Sequence, residues 1–346
     1  MKNTVRLPAD IGSTLAASGL RVRDLVVYTN SGCNLRCRHC YLGNALLSRA
    51  IEFDAESVGC AVRGFGRLDR LTLLGGEVFA HSEAASLFRV IDRNSIGEPR
   101  LTTNLTIWHE EAIEVAVSHG FRFCVSIDGA TATSHDKMRG SGSFLRTIVH
   151  LKKLVKTGAS IEITHTICRA NIDEFQQLLN LCRSIGVRLL NLHLVTPQGN
   201  AATAANLTLR PSEWRAFVDR ELRDCGSSDQ SVSVRYPLRY VTTAELERLR
   251  ASGYHHHAEG SFHCDGSRVV IYPTGELFVS SEAFGSDASI GFVRDGRTYL
   301  RTDSKSELGR ARSLENFDIS HLNPALAGDA AYPVALSVSF KLITRL

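Results

Sequence analysis

The chain has 346 residues, 43% hydrophobic and 22% charged, the composition of an ordinary globular protein with room for one large domain or a large and a small one. A net charge of +4 without a long basic run argues against a dedicated nucleic-acid surface, and no apolar run reaches the roughly 18 residues of a membrane span. Met1 to Pro8 lacks the apolar core of a secretory signal, so the nine cysteines read as reduced thiols and ligands in a cytoplasmic protein, not as a disulfide framework.

Residues 1 to about 22 read as a lead-in with one short helix between Ala9 and Leu20. From Asp24 onward, short apolar runs alternate with longer helical patterns, as βα units on a parallel sheet do. Strands are expected at about 24–29, 70–74, 99–103, 122–127, 161–167 and 187–194, and helices near 53–65, 83–94, 108–119, 143–157 and 172–185. Ser82 and Asn171 stand where caps belong, and Gly120, Gly158 and Gly186 each follow a helical pattern, where a left-handed residue ends a helix. Right-handed crossovers make the fold α/β, a partial (β/α)6 TIM-like barrel over residues 23–205, with a small α+β extension over 206–346. Functional side chains then belong at the C-terminal ends of the strands.

The loop after the first strand places Cys33, Cys37 and Cys40 at a C-x3-C-x2-C spacing, followed by Tyr41. Soft thiolates suit zinc or an iron–sulfur cluster, and both take four ligands in their closed forms. Three local cysteines leave either a distant fourth ligand or one iron open to a substrate or cofactor. The second strand ends in Gly75-Gly76-Glu77, where paired glycines let the backbone approach a ligand closely. The third ends in Thr102-Thr103-Asn104, followed by Leu105. The fourth carries Ser126 and Asp128 on one face at period two, ahead of His135-Asp136, Arg139-Gly140 and Ser143-Phe144. The sixth runs into Thr196-Pro197-Gln198-Gly199-Asn200-Ala201.

In order and spacing these motifs resemble the radical S-adenosylmethionine (SAM) superfamily, over residues 24–200 strongly and 260–282 weakly. The resemblance implies that Cys33, Cys37 and Cys40 hold a [4Fe–4S] cluster, whose fourth iron chelates SAM. It assigns Gly75, Gly76 and Glu77 to the methionyl amino group, with Val78 in place of the usual proline. Asn104 reads as a polar cofactor contact or a plain turn asparagine. Ser126 is assigned to the SAM carboxylate, and Thr196 and Gln198 to the loop near the adenine, where Asn200 is a further contact with cofactor or substrate. His39 corresponds to a variable residue whose backbone lies near that adenine. Asp128 is left to a ribose hydroxyl, a substrate group or a turn, and Arg139 to an ion pair with Asp128 or Asp136. His165 is a candidate acid or base set against a satisfied core histidine, and Cys168 a candidate hydrogen-atom donor set against an inert buried thiol. Glu162, Thr164 and Thr166 share one face of the fifth strand, and the sequence leaves open whether it looks into the barrel.

Beyond the barrel, a helix is expected from Arg210 to about Asp224, a strand over 231–236 and a helix over 243–252. His255-His256-His257, near His263 and Cys264, is a weak metal candidate, because consecutive side chains do not converge on one ion. Cys264 to Ser280 has the pattern of a hairpin around Pro273-Thr274-Gly275 and resembles the opening of a twitch or SPASM extension. Val279-Ser280 stands where that pattern has Pro-Cys, and no cysteine follows Cys264, so the extension is expected to lack an auxiliary cluster. A helix near 308–315 and a strand-like tail over 332–343 complete the pattern.

The resemblance implies an enzyme that draws electrons from a flavodoxin- or ferredoxin-like reductant and abstracts hydrogen from an unactivated C–H bond. Without an auxiliary cluster to accept an electron, redox-neutral chemistry on a sugar- or nucleoside-type small molecule is the first expectation: decarboxylation, epimerisation or elimination. Maturation of a ribosomally made peptide is the alternative. A redox sensor that keeps the cluster without catalysis, or a zinc module, represents the other classes.

Overall fold

The computed structural model describes residues 3–43, 51–204, 206–224, 231–241, 268–278, 281, 289–301 and 332–335. The short strands β1 (Asn3–Val5) and β3 (Ile51–Phe53) pair in parallel, with the helix α1 (Ile11–Ala17) following β1. Six longer strands form the expected parallel set: β2 (Asp24–Tyr28), β4 (Leu68–Leu74), β5 (Ile96–Thr103), β6 (Arg122–Ser126), β7 (Ser160–Ile167) and β8 (Leu189–Leu194). The intervening helices are α2 (Ala55–Gly64), α3 (Ala84–Arg89), α4 (Glu110–Ser118), α5 (Ala132–Arg139), α6 (Ser143–Val155) and α7 (Phe175–Ile185). The fold is thus the partial α/β barrel that the alternation implies.

Both edges of the sheet are longer than six βα units require. After α8 (Pro211–Asp224), β9 (Ser233–Arg235) pairs in parallel with β8. At the other edge β11 (Arg268–Ile271) pairs in parallel with β2, and β12 (Glu276–Phe278), β13 (Gly291–Arg294) and β14 (Arg297–Leu300) continue antiparallel. The hairpin expected around Pro273 therefore extends the barrel sheet. A separate pair joins β10 (Leu238–Val241) to β15 (Tyr332–Ala335), within the strand-like tail. Helices expected over 243–252 and 308–315, the histidine tract, Cys264 and Val279-Ser280 lie outside the described residues.

The register separates two faces. Leu25, Val27, Leu71, Leu73, Leu101, Phe123, Val125, Ile163 and Leu190 pack outward against the helices in one core. The alternate residues face inward, so Glu162, Thr164 and Thr166, in register with Cys124 and Ser126, belong to the inner face. Near the N-terminal ends this face is charged instead of apolar. Arg268, Asp24, Arg70 and Glu98 line up across β11, β2, β4 and β5, with Arg122 on the other oxygen of Glu98 at 2.6 Å. One strand pair further on, Glu162 is fully buried between Arg100 (2.5 Å) and Arg235 (3.1 Å).

Three glycines end helical patterns as expected: Gly120, Gly158 and Gly186 all have positive φ. Neither expected cap acts as one. The Ser82 hydroxyl turns to Glu52 at 2.5 Å, and Glu83 precedes α3 without a side-chain cap. The Asn171 side chain bridges the ends of β6 and β7, accepting from the Cys168 N–H and donating to the Asp128 and Thr166 carbonyls. Both side chains found tertiary partners that outcompete a local cap. The helix expected over 83–94 stops at Arg89, and Asp92 accepts from the Asn94 N–H in a separate 3-10 turn, a local bond that competes with helix. Among the described residues no helix is long and apolar enough to cross a membrane.

Glu162→Ala leaves Arg100 buried without its carboxylate. It should cost about 3–5 kcal/mol in urea unfolding, whereas Arg89→Ala, which breaks the exposed pair with Glu111, should cost less than about 1 kcal/mol.

Candidate active site

The cysteine loop leaves β2 through Thr29, Asn30 and Ser31, all fully buried. Such a turn must find partners for its backbone outside itself, and it finds them on the neighbouring strands. Thr29 donates from both N–H and hydroxyl to the Leu74 carbonyl at the end of β4, and the Ser31 N–H donates to Ile51 of β3. The Asn30 amide donates to the carbonyls of Gly32 and Glu77, while the Gly76 and Glu77 N–H groups donate back to Asn30 and Gly32.

This lacing explains the glycine pair. A Cβ on Gly75 would lie 1.8 Å from the Asn30 side-chain oxygen, and one on Gly76 2.4 Å from the Gly32 carbonyl and 2.8 Å from the Cys33 Cβ. The close approach is loop on loop, and it seats Cys33. Glu77 is almost fully buried, and both oxygens are engaged: one with the Phe79 N–H and the Thr103 hydroxyl (2.6 Å), the other with the Asn104 N–H (2.7 Å). Burial raises its carboxyl pKa against the pull of those donors. It therefore ties β4 to the end of β5.

Asn104 extends the tie. Its amide donates to the Asn34 oxygen at 3.0 Å, and its own oxygen accepts from the Thr106 N–H and hydroxyl. Asn34 in turn donates to the Thr106 hydroxyl. The following Leu105 adopts φ +52 with its side chain fully buried. A left-handed leucine costs about 1–2 kcal/mol, and burying its side chain returns about 1.5–3 kcal/mol.

The far side of the loop is held from β8. The Asn200 N–H donates to the Cys40 carbonyl and its side chain to the Cys37 carbonyl, both at 2.9 Å. At Gly199, a Cβ would meet the Cys40 and Tyr41 carbonyls at 2.5 Å. Thr196 and Gln198 stand just before this contact, and the Gln198 side-chain oxygen is buried without a hydrogen-bond partner. Arg38 donates its N–H to Met138 at the end of α5.

Asp128 and Arg139 meet behind the loop. The Asp128 carboxylate is fully buried and accepts from Arg139 Nε (2.5 Å), His39 Nε2 (3.2 Å) and the Thr166 N–H (2.8 Å). Burial opposes its charge, but the Arg139 guanidinium and these neighbours hold its pKa well below the usual carboxylate range. Arg139 Nη1 also reaches the Cys37 sulfur at 4.0 Å. Asp136, the other partner considered for Arg139, instead accepts from the Gly142 and Phe144 N–H groups and starts α6. Ser126 faces inward beside Thr164. His165 falls on the opposite face with Ile163 and Ile167. It is buried, with Nδ1 on the Ile127 carbonyl and Nε2 unpartnered. Cys168 is fully buried in an apolar cluster with Met138, Val195, Ala201 and Leu207, and burial pushes its thiol up to about 11.

The roles of Asn30 and His39 were not legible in the sequence. A buried asparagine between an apolar strand and the first cysteine is the signal for Asn30. Nothing local points His39 at Asp128.

Cys33, Cys37 and Cys40 are free, half-buried thiols on one loop. Burial pushes Cys33 up to about 12 and, against the pull of Arg139, Cys37 up to about 11. Such thiols stay protonated until a metal displaces the proton. Three soft donors on a loop braced from the neighbouring strand ends, beside a buried cation, fit an iron–sulfur cube with one iron free of protein.

Residues 27–182 match the family model described as the radical SAM superfamily. The AdoMet-dependent heme synthase of Nitratidesulfovibrio vulgaris is 25% identical over 190 residues, 54% of this chain and 52% of that protein. The mycofactocin maturase MftC of Mycolicibacterium smegmatis is 26% identical over 283 residues, 80% of this chain and 69% of that protein. The antilisterial bacteriocin subtilosin biosynthesis protein AlbA of Bacillus subtilis is 24% identical over 204 residues, 55% and 43% of the two chains. This chain thus spans about half the length of the heme synthase it matches. Among solved structures, Streptococcus suis SuiB bound to S-adenosylmethionine aligns with a TM-score of 0.64 at 13% identity, over 88% of this chain and 71% of that one. anSMEcpe with bound AdoMet aligns at 0.61 and 17% identity, over 87% and 84%. These two likenesses are of fold.

Gly76→Ala should unseat Cys33 and cut the iron bound after anaerobic reconstitution by more than about half. Gly32→Ala, whose Cβ meets only the Asn30 side chain at 3.7 Å, should bind iron as the wild type does. Equal iron in the two variants would detach the glycine pair from the cysteine loop.

Proposed function

Because this chain carries a radical SAM domain over residues 27–182, we propose that it is a radical SAM enzyme that modifies a peptide. The family uses a [4Fe–4S] cluster and SAM. When bound, they supply reductive cleavage of SAM and abstraction of a hydrogen atom from the substrate. The observation that carries the reading is the bracing of the loop that bears three free thiols from three strand ends: β4 through Gly75 and Gly76, β5 through Asn104, and the loop after β8 through Asn200.

In this reading Cys33, Cys37 and Cys40 ligate three irons. Gly75, Gly76, Asn104, Ser126, Thr196 and Gln198 border the SAM site. The buried Gln198 oxygen without a partner is a natural acceptor for a cofactor N–H. Glu77 braces the site from behind through Thr103 and Asn104. Asp128 fixes the end of β7 through the Thr166 N–H and orients Arg139. The apolar cluster around Cys168 keeps water from one side, and the buried ion pairs on the inner face close the barrel floor.

The peptide is preferred over the sugar- or nucleoside-type substrate that the sequence first suggests. Support comes from a relative named as a mycofactocin maturase, aligned over 80% of this chain, and from one named for bacteriocin biosynthesis. A small-molecule substrate stays the second reading, because heme synthases match 54% of the chain. The reductant is a flavodoxin- or ferredoxin-like protein.

Anaerobic reconstitution should give about four irons per chain, and about eight would reveal an auxiliary cluster. Release of 5′-deoxyadenosine should be lost in Cys37→Ala. Incubated with SAM, reductant and a short peptide encoded beside its gene, the enzyme should change the peptide's mass. An unaltered peptide alongside turnover of a sugar or nucleoside would reverse the order of the two substrates.

A further inference from the structure

Arg139 is the one charged side chain, among the described residues, recorded in contact with a sulfur of the three loop cysteines. It ends α5 almost fully buried, with Nη1 4.0 Å from Cys37 Sγ and Nε 2.5 Å from Asp128 Oδ2. Its place is fixed by a chain of contacts that does not pass through the cysteines. Asp128 is held by the Thr166 N–H, and the Asp128 carbonyl by Asn171. The nearby Arg36 is different. It is exposed and donates to the carbonyls of Cys33 and Leu35, so solvent screens it. His39 leans on the same Asp128 oxygen as Arg139, 3.2 Å away, and makes no recorded contact with a cysteine sulfur. Glu77, the buried acid on the Cys33 side, is wrapped in its own donors. The fixed charges at Cys37 therefore reduce to one guanidinium in contact with the sulfur and one carboxylate behind it.

A charge in such a dry place acts strongly on any electron added nearby. Charge and hydrogen bonds at the ligating sulfurs are among the levers that set cluster potentials. We propose that Arg139 is a positioning residue that raises the reduction potential of a cluster ligated by Cys37, and that Asp128 holds it in place and partly offsets its charge. The step concerned is uptake of one electron by the cluster from an external donor, with no bond made or broken. The proposal rests on the reading of the cysteine loop as a cluster site.

The test is an anaerobic potentiometric titration of reconstituted protein, with dithionite as electron source and the electron paramagnetic resonance of the reduced cluster as readout. Wild type, Arg139→Gln, Arg139→Lys and Asp128→Asn are compared after iron and sulfide are counted. At the wild-type midpoint, Arg139→Gln should lower the reduced-to-oxidised ratio about tenfold, a midpoint about 59 mV more negative for one electron. Arg139→Lys, which keeps the charge, should recover at least half of that shift. Asp128→Asn should move the midpoint the opposite way, which a loosened loop would not do. A full cluster in Arg139→Gln with an unmoved or more positive midpoint overturns the proposal. If Arg139→Gln does not retain iron, Asp128→Asn decides: a more positive midpoint supports the proposal, and an equal or more negative one overturns it. Loss of iron from both would make the pair a scaffold and end the proposal. A wild type that binds no iron would instead overturn the cluster reading itself.

Discussion

A loop that offers three thiols to a ligand satisfies only part of its backbone from within, as where the Cys40 N–H donates to the Cys37 carbonyl and Arg36 to those of Cys33 and Leu35. Much of the rest is met from outside. Donors and acceptors of the segment from Thr29 to Cys40 are paired with Leu74, Glu77, Ile51, Met138 and Asn200, which lie on four different parts of the chain. The loop's shape is thus a property of the assembled barrel, because those partners meet only when the strands stand in register. Two of the contacts demand the absence of a side chain, at Gly76 and Gly199, where any Cβ would strike loop backbone within 2.5 Å.

The barrel interior follows from the same geometry. A parallel sheet covered by helices is normally apolar on both faces, yet this inner face is charged near the N-terminal ends and polar towards the C-terminal ends. The charges are tolerable because each carboxylate lies between arginines, as Glu162 does. Next to the cysteine loop the interior turns apolar again, where Val26, Tyr28 and Leu42 meet Val270, Tyr272 and Phe278 of the C-terminal hairpin. Tyr28 stacks on Tyr272 with ring centroids 4.4 Å apart. The hairpin is therefore built into the wall beside the cysteines.

Much of this was legible in the sequence, for a physical reason. A strand such as β6 carries Phe123 and Val125 towards the helices, and its β-branched, apolar run marks it whatever its neighbours. Glycines at helix ends are legible because few other residues tolerate the backbone they adopt. Side-chain partners were not. Asn171 looks like a cap from its neighbours in sequence and is a clamp across two strand ends in space. Resemblance points Glu77 at the cofactor and leaves Asn104 between a cofactor contact and a turn, and the structure adds that their polar atoms hold loops together. The alternation of the fifth strand already groups His165 with Ile163 and Ile167, and the register adds that this face looks away from the lumen. Pairings across 70 or 160 residues leave no local trace.

The account depends on a cube with one corner that the protein does not ligate. Mössbauer spectra of 57Fe-reconstituted protein, recorded without and with SAM, look at that corner directly. One iron of the four in the cube should change its isomer shift and quadrupole splitting when SAM is added, while the other three keep theirs. Four irons that remain alike in both spectra, or an iron content too low to make a cube, would contradict it.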